Sequence, residues 1–304
     1  MSGIRQNVFP AYHPAVRPPA NRTCTAPAPE PHAPPPPESA LTTPRAIPDI
    51  AALPRPVFAR AESLAAGSWT HPHSHHWVQF SYAVRGVLEV RTRQGSHMAP
   101  PQRAIWIPAG LPHEVMTSGP AEQRSLYIAP AALAGLAPDA AARCRVVEVT
   151  PLARELVLTF TQLPREYDEH GAQGRLVAVL LDELVALPEA GLSLPLPADA
   201  RLAALCEAML DDPGEDHSLP LLAARAGMSE RTLTRLFRAE TGLSLRAWRQ
   251  QARMLAALPE LERGHGVTAV ALDMGYDSTS AFIAAFRQLM GHTPGEFFSR
   301  AARE

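Results

Sequence analysis

Two helix-turn-helix signals lie in tandem near the C-terminal end of the chain, and an apolar segment of helix length separates them. The first has Gly227 at its turn and Ser229 placed to cap the second helix. The second signal repeats this plan with Gly275 and Ser278. Because a helix fits the major groove of DNA, two such units on one rod predict a chain that reads two adjacent segments of a duplex.

The second helix of each unit, called the reading helix here, has an apolar face and a polar face. In the first unit Leu233, Leu236 and Phe237 share the apolar stripe, and in the second Phe282 and Phe286 form it. Arginine forks and hydroxyl groups, which hydrogen-bond to base edges and phosphates, dominate the polar face of the first. The second has few long polar side chains and predicts contacts to phosphates and thymine methyl groups. The predicted DNA-contacting residues are Arg231, Thr234, Arg235 and Arg238 in the first unit and Thr279, Ser280, Ile283, Ala284 and Arg287 in the second.

A series of short motifs runs in order through this region. It consists of Ala226-Gly-Met-Ser229, Arg231-Thr-Leu-Thr-Arg-Leu-Phe237, Glu240-Thr-Gly-Leu-Ser244, Trp248-Arg249, Gly275-Tyr-Asp-Ser278, Ser280-Ala-Phe282, Phe286-Arg287 and Gly291-His-Thr-Pro294. Together these motifs resemble the AraC/XylS family of bacterial transcription regulators over about residues 199–300. The resemblance implies a DNA-binding domain of seven helices, in which a central helix at about 244–262 joins the two reading helices.

The resemblance also implies which side chains read bases. By position these are Arg231, Thr234 and Arg235 in the first unit and Thr279, Ser280 and Ala284 in the second. Ala284 departs from family members that carry a long polar residue at this place.

The alternative interpretation is a pair of ordinary helical hairpins in an all-α packing domain. Net charge does not favour DNA binding, because residues 198–304 contain 12 arginines against 14 aspartates and glutamates and no lysine. The placement of the arginines does favour it, because electrostatic affinity depends on the phosphates that are neutralised locally. Double-stranded DNA is therefore the predicted partner. The arginines on the reading and central helices are Arg231, Arg235, Arg238, Arg246, Arg249, Arg253 and Arg287.

The N-terminal segment has a different composition from the rest of the chain. Residues 1–56 are rich in proline, and such a stretch buries too little apolar surface to offset its ordering entropy. We expect a disordered tail there. The three cysteines are widely spaced, no apolar run reaches membrane-spanning length, and a signal-peptide pattern is missing. The chain is therefore predicted to be cytoplasmic and without membrane contact.

Residues 57–145 alternate short β-branched and aromatic runs with glycine and proline, which predicts a small antiparallel β-barrel. The expected fold class is thus α+β, a barrel followed by an all-α tandem helix-turn-helix domain. Within this region His73, His75, Gln79 and His113 have a spacing that resembles the two motifs of the cupin superfamily. That resemblance covers about residues 60–130 and implies a site where histidines hold a divalent ion, with Gln79 standing where a glutamate is usual.

Two interpretations of this pocket stay open. Three imidazoles can hold one zinc or a similar divalent ion, although an amide compensates less of its charge than a carboxylate would. Alternatively, the same side chains line a metal-free pocket for a small-molecule effector. The predicted effector or metal pocket contains His73, His75, Gln79 and His113, with His73, His75 and His113 as the candidate metal ligands.

Residues 146–190 carry two amphipathic helical patterns, at 152–163 and 176–187. The apolar stripe of the second explains either packing against the barrel or a homodimer interface, and regulators of this family with a cupin-like sensor often pair through such helices. A proline-containing segment then reads as a short linker to the DNA-binding domain, residues 196–304.

These features predict a transcription regulator that is controlled by an effector or a metal, works with RNA polymerase and is not an enzyme. The alternative is a cupin metalloenzyme, an oxygenase or isomerase, fused to an autoregulatory DNA-binding module. The amide of Gln79 at the usual glutamate position, and the lack of an evident further acid and base pair in the sequence, favour the regulator.

Overall fold

The computed structural model describes residues 43–47, 50–136 and 142–303. A β-rich part precedes a helical part, so the α+β class is confirmed. Most of the predicted disordered tail, residues 1–42, lies outside the described residues. The end of that segment differs from the expectation, because Thr43–Arg45 form a strand that pairs in parallel with Ser68–Thr70. A hydrogen bond of 3.0 Å from Arg45 to Glu62 also holds this strand.

The strands of the described residues form two six-stranded sheets. Sheet A contains, in spatial order, β1 (Thr43–Arg45), β3 (Ser68–Thr70), β8 (Glu114–Thr117), β5 (Leu88–Thr92), β6 (Gly95–Ala99) and β12 (Ser193–Pro195). Sheet B contains β11 (Glu189–Ala190), β10 (Arg145–Glu148), β7 (Arg103–Ile107), β4 (Val78–Arg85), β9 (Ala121–Ile128) and β2 (Val57–Leu64). Apart from the parallel β1 and β3, neighbouring strands in both sheets are antiparallel, as predicted.

The two sheets do not close into the predicted barrel. β1 and β12 are the edges of sheet A, and each contains a proline, Pro44 and Pro195, which has no amide proton to donate to a further strand. Sheet B ends at β2 and β11. The closed barrel is therefore corrected to two open sheets.

Two helices pack on sheet B. They are α1 (Pro151–Phe160), which Thr150 caps through its hydroxyl, and α2 (Ala172–Ala186). Leu180 and Leu184 of α2 are completely buried in one apolar cluster with Phe80 and Trp106 of the sheet. The apolar stripe of α2 therefore packs inside the domain.

Among the described residues, seven helices follow the sheets, which agrees with the family resemblance. They are α3 (Ala200–Asp211), α4 (Leu219–Arg225), α5 (Glu230–Thr241), α6 (Leu245–Glu262), α7 (Val267–Asp273), α8 (Thr279–Met290) and α9 (Pro294–Arg303). The pairs α4 and α5, and α7 and α8, are the helix-turn-helix units, and α6 is the central helix between them. None of the helices in the described part of the chain combines the length and apolarity that crossing a bilayer requires.

The ends of these helices follow local sequence signals. The hydroxyls of Ser229, Ser244 and Ser278 cap α5, α6 and α8 by accepting a backbone amide in the first turn. Gly242 and Gly291 end α5 and α8 in the left-handed conformation, where a side chain would be strained. Both reading helices therefore begin and end where the sequence fixes them.

Candidate functional site

The three candidate histidines lie where two strands of sheet A end or begin. His73 and His75 follow β3, and His113 directly precedes β8. The amide of His73 donates to the carbonyl of His113 at 3.0 Å, and the amide of His113 donates back to His73 at 2.9 Å. The amide of Gly110 donates to the carbonyl of His75 at 2.7 Å. Backbone contacts therefore bring the two separate motifs of the sequence together.

Each of the three imidazoles has one nitrogen fixed by the backbone. Nδ1 of His73, His75 and His113 lies 2.9, 2.8 and 2.8 Å from the carbonyl oxygens of His71, Trp77 and Leu111. Since a carbonyl oxygen only accepts, Nδ1 of a neutral ring carries the proton and Nε2 presents its lone pair. Metal-ligating histidines commonly have their second nitrogen held in this way.

The ligand nitrogens of the three rings lie within 4.8 Å of one another. In the part of the chain that the structure describes, this is the only group of at least three His, Cys, Asp or Glu side chains close enough to share an ion. Nε2 of His113 is buried and has no hydrogen-bond partner. A buried lone pair without a donor is costly unless something binds it, so the donor set fits a divalent ion.

Burial keeps this histidine cluster (His73, His75 and His113) uncharged. Desolvation lowers the pKa of His73 and of His75 below the ordinary value. Desolvation lowers the pKa of His113 to about 3, and repulsion by His73 and His75 in their protonated forms acts in the same direction. The neutral imidazole is the form that binds a metal ion, so the cluster is in that form at neutral pH.

Gln79 lies beside the cluster. Its Oε1 is 2.9 Å from Nε2 of His75, and its Nε2 donates to Oγ of Ser81 at 2.8 Å. Because the His75 proton is on Nδ1, two lone pairs face each other across the first contact. A cation shared by the two atoms, or an amide rotated to donate to the ring, satisfies both groups.

A row of buried polar side chains continues from Gln79 into the domain, and it was not identified from the sequence. Ser81, Gln123 and Ser125 are at most 1% exposed. Nε2 of Gln123 donates to Ser81 at 3.2 Å and to Ser125 at 2.9 Å, while its Oε1 has no partner. The available signal was the alternation of polar residues in the otherwise apolar strands β4 and β9, which places them on one face.

An aromatic wall and a groove border the cluster. Trp77 stacks on His75 with ring centroids 5.0 Å apart and planes at 10°. Trp77 also lines a surface groove of about 610 Å³, whose other walls include residues 53–56 and 129–132. Pockets for small organic molecules have this size. Trp106, by contrast, is completely buried in the core.

The polar face of α5 lies where the sequence predicts it. Arg231, Thr234, Arg235 and Arg238 are exposed, whereas Leu233 and Phe237 are completely buried and Leu236 is half-buried. The hydroxyl of Thr234 donates to the carbonyl of Glu230 at 2.7 Å. Thr234 therefore offers DNA an acceptor, and the arginines offer the donors.

The polar face of α8 is narrower than that of α5. Ser280, Ala284 and Arg287 are exposed, but Thr279 and Ile283 are half-buried. Ile283 packs against the core beside the apolar stripe, so it presents less surface to DNA than the sequence suggests.

Two of the arginines assigned to the DNA-facing arrangement are engaged inside the domain. Arg249 donates to the carbonyls of His217 at 2.9 Å and Glu215 at 3.1 Å. Arg253 donates to the carbonyl of Pro213 at 2.8 Å. Both hold the loop between α3 and α4 against α6, so Arg249 and Arg253 do not face DNA as the sequence suggested.

Comparison with known proteins covers both parts of the chain. Residues 55–185 match the family model described as the AraC-like ligand binding domain, and residues 222–300 match the one described as a helix-turn-helix domain. The HTH-type transcriptional regulator NimR of Escherichia coli is 37% identical over 228 residues, which cover 75% of this chain and 82% of NimR.

More distant similarities are shorter or weaker. The HTH-type transcriptional regulator RipA of Corynebacterium glutamicum is 35% identical over 103 residues, 34% of this chain and 31% of RipA. The solved structure of ToxT from Vibrio cholerae covers 80% of this chain and 98% of its own, with 8% identity and a TM-score of 0.34.

Proposed function

The chain belongs to the AraC family of transcription regulators, and from this premise we propose that its histidine cluster is the site through which an effector controls the reading helices. The N-terminal domain is of the ligand-binding kind and the helix-turn-helix domain binds DNA, which favours a regulator over a fused cupin enzyme. The proposal depends on one observation, the convergence of three imidazoles whose Nδ1 atoms the backbone holds.

A divalent ion is the proposed occupant of the cluster. His73, His75 and His113 would hold it through Nε2, with the amide oxygen of Gln79 nearby. Zinc suits this donor set, because it takes imidazole ligands and keeps an open position where a protein supplies three of them. A bound ion would supply a positive charge and a coordination position for one atom of an organic effector.

The groove beside Trp77 supports the organic part of this proposal. Trp77, which lines the groove, stacks on His75, and the groove has room for a small molecule. An effector in the groove would contact Trp77, and through the stacked ring it would lie close to His75.

Titration of the metal-free full-length chain with Zn²⁺ tests the metal. We expect about one ion per chain, and we expect the His113→Ala variant to lose that binding. His76→Ala is the matched control, because His76 is exposed and lies outside the cluster. If the wild-type chain takes up no zinc, the metal is excluded and the metal-free pocket is the interpretation that stays.

On the DNA side, α5 is proposed to make the base contacts through Arg231, Thr234 and Arg235, and Arg238 is proposed to contact the backbone. α8 is proposed to bind mainly phosphates through Arg287, with Ser280 and Ala284 facing the major groove of DNA. Genome-wide mapping of binding sites with and without candidate effectors tests this role. RNA polymerase as a partner and a cytoplasmic location stay predictions.

The proposed homodimer needs a surface other than the stripe of α2 that packs on sheet B. Leu152 of α1 and Val179 of α2 are 53% and 48% exposed, and they offer such a surface. We expect sedimentation to show a dimer that Val179→Glu weakens. Leu272→Glu is a matched control, because Leu272 is also exposed but lies on α7. A monomeric wild-type chain would exclude the homodimer.

A further inference from the structure

The segment between the two domains is a strand of sheet A. β12 pairs with β6 in the register Ser193 to His97 and Leu194 to Ser96. The amide of Met98 donates to the carbonyl of Leu192 at 3.0 Å, and Nδ1 of His97 lies 2.8 Å from Oγ of Ser193. Leu192 and Leu194 are almost completely buried. The expected linker is therefore part of the ligand-binding domain.

The same strand also forms hydrogen bonds with the central helix α6. Nε1 of Trp248, a fully buried residue, donates to the carbonyl of Pro195 at 2.7 Å. Nε2 of Gln251 donates to the carbonyls of Gly191 at 2.9 Å and Ser193 at 2.8 Å. β12 thus hydrogen-bonds to β6 on one side and to α6 on the other.

The other end of α6 also contacts the ligand-binding domain. Glu262 lies against the loop before β9, where a Cβ added at Gly119 would be 3.4 Å from its Oε2. Burial raises the pKa of Glu262, and the backbone of Gly86, at the turn between β4 and β5, acts against this effect. In a separate contact, the guanidinium of Arg103 lies 5.7 Å from the ring centre of Phe297 in α9. Contacts near both ends of α6 therefore fix this helix relative to the sheets. Of these contacts, the one with β12 involves a strand that is hydrogen-bonded into sheet A.

Sheet A connects the contact between β12 and α6 to the histidine cluster. In spatial order the strands run β3, β8, β5, β6, β12, and His73 and His113 flank β3 and β8. The ladder between β8 and β12 is continuous through β5 and β6. A change at the cluster therefore has a hydrogen-bonded route of three strand pairings to α6.

We infer that β12 transmits the state of the histidine cluster to α6, and through α6 to both reading helices. The inference rests on the function proposed above and names its route of control. α6 sets the spacing between the two helix-turn-helix units. The outward arginines of α5 are exposed while α6 is in contact with β12. Control therefore acts by positioning α6, without covering the surface that meets DNA.

Gly95 gives a way to disturb β12 without touching α6 or the cluster. A Cβ added at Gly95 would lie 2.3 Å from the carbonyl oxygen of Leu194, and the φ of +156° at Gly95 strains any other residue there, so Gly95→Ala must disturb the pairing of β6 with β12. Gln251→Ala removes the hydrogen bonds from α6 to Ser193 in β12 and to Gly191 just before this strand. Gln250→Ala is its matched control, because Gln250 is the exposed neighbour on α6.

Amide hydrogen exchange of the full-length variants tests the route without any ligand. In Gly95→Ala and Gln251→Ala we expect exchange of the segment 113–117 to rise by about threefold or more, with Gln250→Ala like the wild type. Gln251→Ala also serves where the glycine variant fails to fold. Faster exchange confined to β12 and α6 would overturn the inference.

Zn²⁺ alone then serves as the probe for the opposite direction. In the wild-type chain we expect zinc to slow exchange at Met98 and Leu196, whose amides bond across the joint between β6 and β12, and Gln251→Ala should reduce that effect severalfold. Zinc that binds without changing these amides would overturn the inference. Uptake is measured separately, so a chain that binds no zinc contradicts only the proposed metal, and the ligand-free comparison still decides on the route.

Discussion

The ring of Phe237 stands edge-on to the indole of Trp248, with centroids 5.9 Å apart and planes at 88°. Both side chains are completely buried. Such aromatic pairs add to the stabilisation that burial provides. Because Phe237 belongs to α5 and Trp248 to α6, the first reading helix takes its orientation from the central helix through this pair.

Phe237→Ala should therefore unfold the first helix-turn-helix unit rather than alter its specificity. The expected cost is about 3–5 kcal/mol in the free energy of unfolding, since a large side chain is removed from a closed core. Urea unfolding followed by circular dichroism measures it. Leu236→Ala, at the half-buried neighbour, should cost clearly less. A Phe237→Ala variant as stable as the wild type would contradict this packing.

Arg235→Ala should change which sequences the chain prefers. Arg235 is exposed on the polar face of α5, and a lost bidentate base contact costs about 1–3 kcal/mol on the specific site. Arg287→Ala should instead weaken all duplexes alike and flatten the salt dependence. Affinities for an operator set at several salt concentrations distinguish the two. Unchanged selectivity of Arg235→Ala would remove α5 from the groove.

Arg249→Ala provides the contrast for these two variants. Its guanidinium holds the carbonyls of Glu215 and His217, so we expect a lower free energy of unfolding and unchanged base preference. The measurement is the same operator set together with thermal unfolding. A selective loss for one operator base would mean that Arg249 contacts DNA after all.

The reading helices were predictable because their signals are local. A turn glycine, a serine cap and the helical period decide the position of α5 within a few residues. The two-residue spacing of His73 and His75 places their side chains on one side of an extended segment. The internal role of Arg249 depends on how the loop at 212–218 returns to α6, and no local pattern shows that. Likewise, the partner of Ser193 in β12 is His97, far away in the chain.

The buried polar row shows the same limit on a smaller scale. Gln79 and Ser81 alternate in a strand that is buried on both faces, and their partners Gln123 and Ser125 come from another strand. A polar residue at alternate positions normally predicts a solvent face. Only the pairing of β4 with β9 shows that these side chains meet each other inside the domain.

Gln79→Glu should strengthen divalent-ion binding. The amide oxygen lies 2.9 Å from Nε2 of His75, so a carboxylate there adds a negative charge at the proposed site. We expect zinc affinity to rise by about tenfold or more. Gln79→Leu should lower it, and isothermal titration compares the three chains. Equal affinities for the three would place the ion, if any, away from Gln79.

Acid should destabilise the chain through His97. Desolvation lowers the pKa of this buried residue to about 4, against the attraction of Glu189 and Glu89. In the unfolded chain it titrates near about 6.5, so between these two values the unfolded state binds a proton that the folded state does not. The contribution of neutral His97 to the free energy of unfolding is therefore fully present above that window, and it is lost as pH falls through the window.

Once pH is below the window, the titration of His97 has lowered the free energy of unfolding by on the order of 3 kcal/mol. His97→Gln should remove this part of the pH dependence. The part that comes from the histidine cluster should stay, because the pKa values of those rings are lowered too. Urea unfolding at several pH values measures the slope. Identical pH profiles for the wild-type chain and His97→Gln would show that His97 is not the buried neutral group described.

An isolated DNA-binding fragment that begins after β12 lacks the acceptors of two side chains of α6. A fragment of residues 196–304 leaves Nε1 of the buried Trp248 without the carbonyl of Pro195, and Gln251 without both of its acceptors. An unpaired buried donor costs about 1–3 kcal/mol. We therefore expect residues 191–304 to melt at a higher temperature than residues 196–304.

Trp248→Phe in both fragments separates the missing hydrogen bond from other effects of the extra residues. Without the indole donor the carbonyl of Pro195 has nothing to accept from α6, so the difference in melting between the two fragments should shrink to the part that Gln251 contributes. Thermal unfolding of the four fragments forms a complete cycle. If the two lengths melt together even with Trp248 in place, residues 191–195 belong to sheet A alone and the central helix does not depend on them.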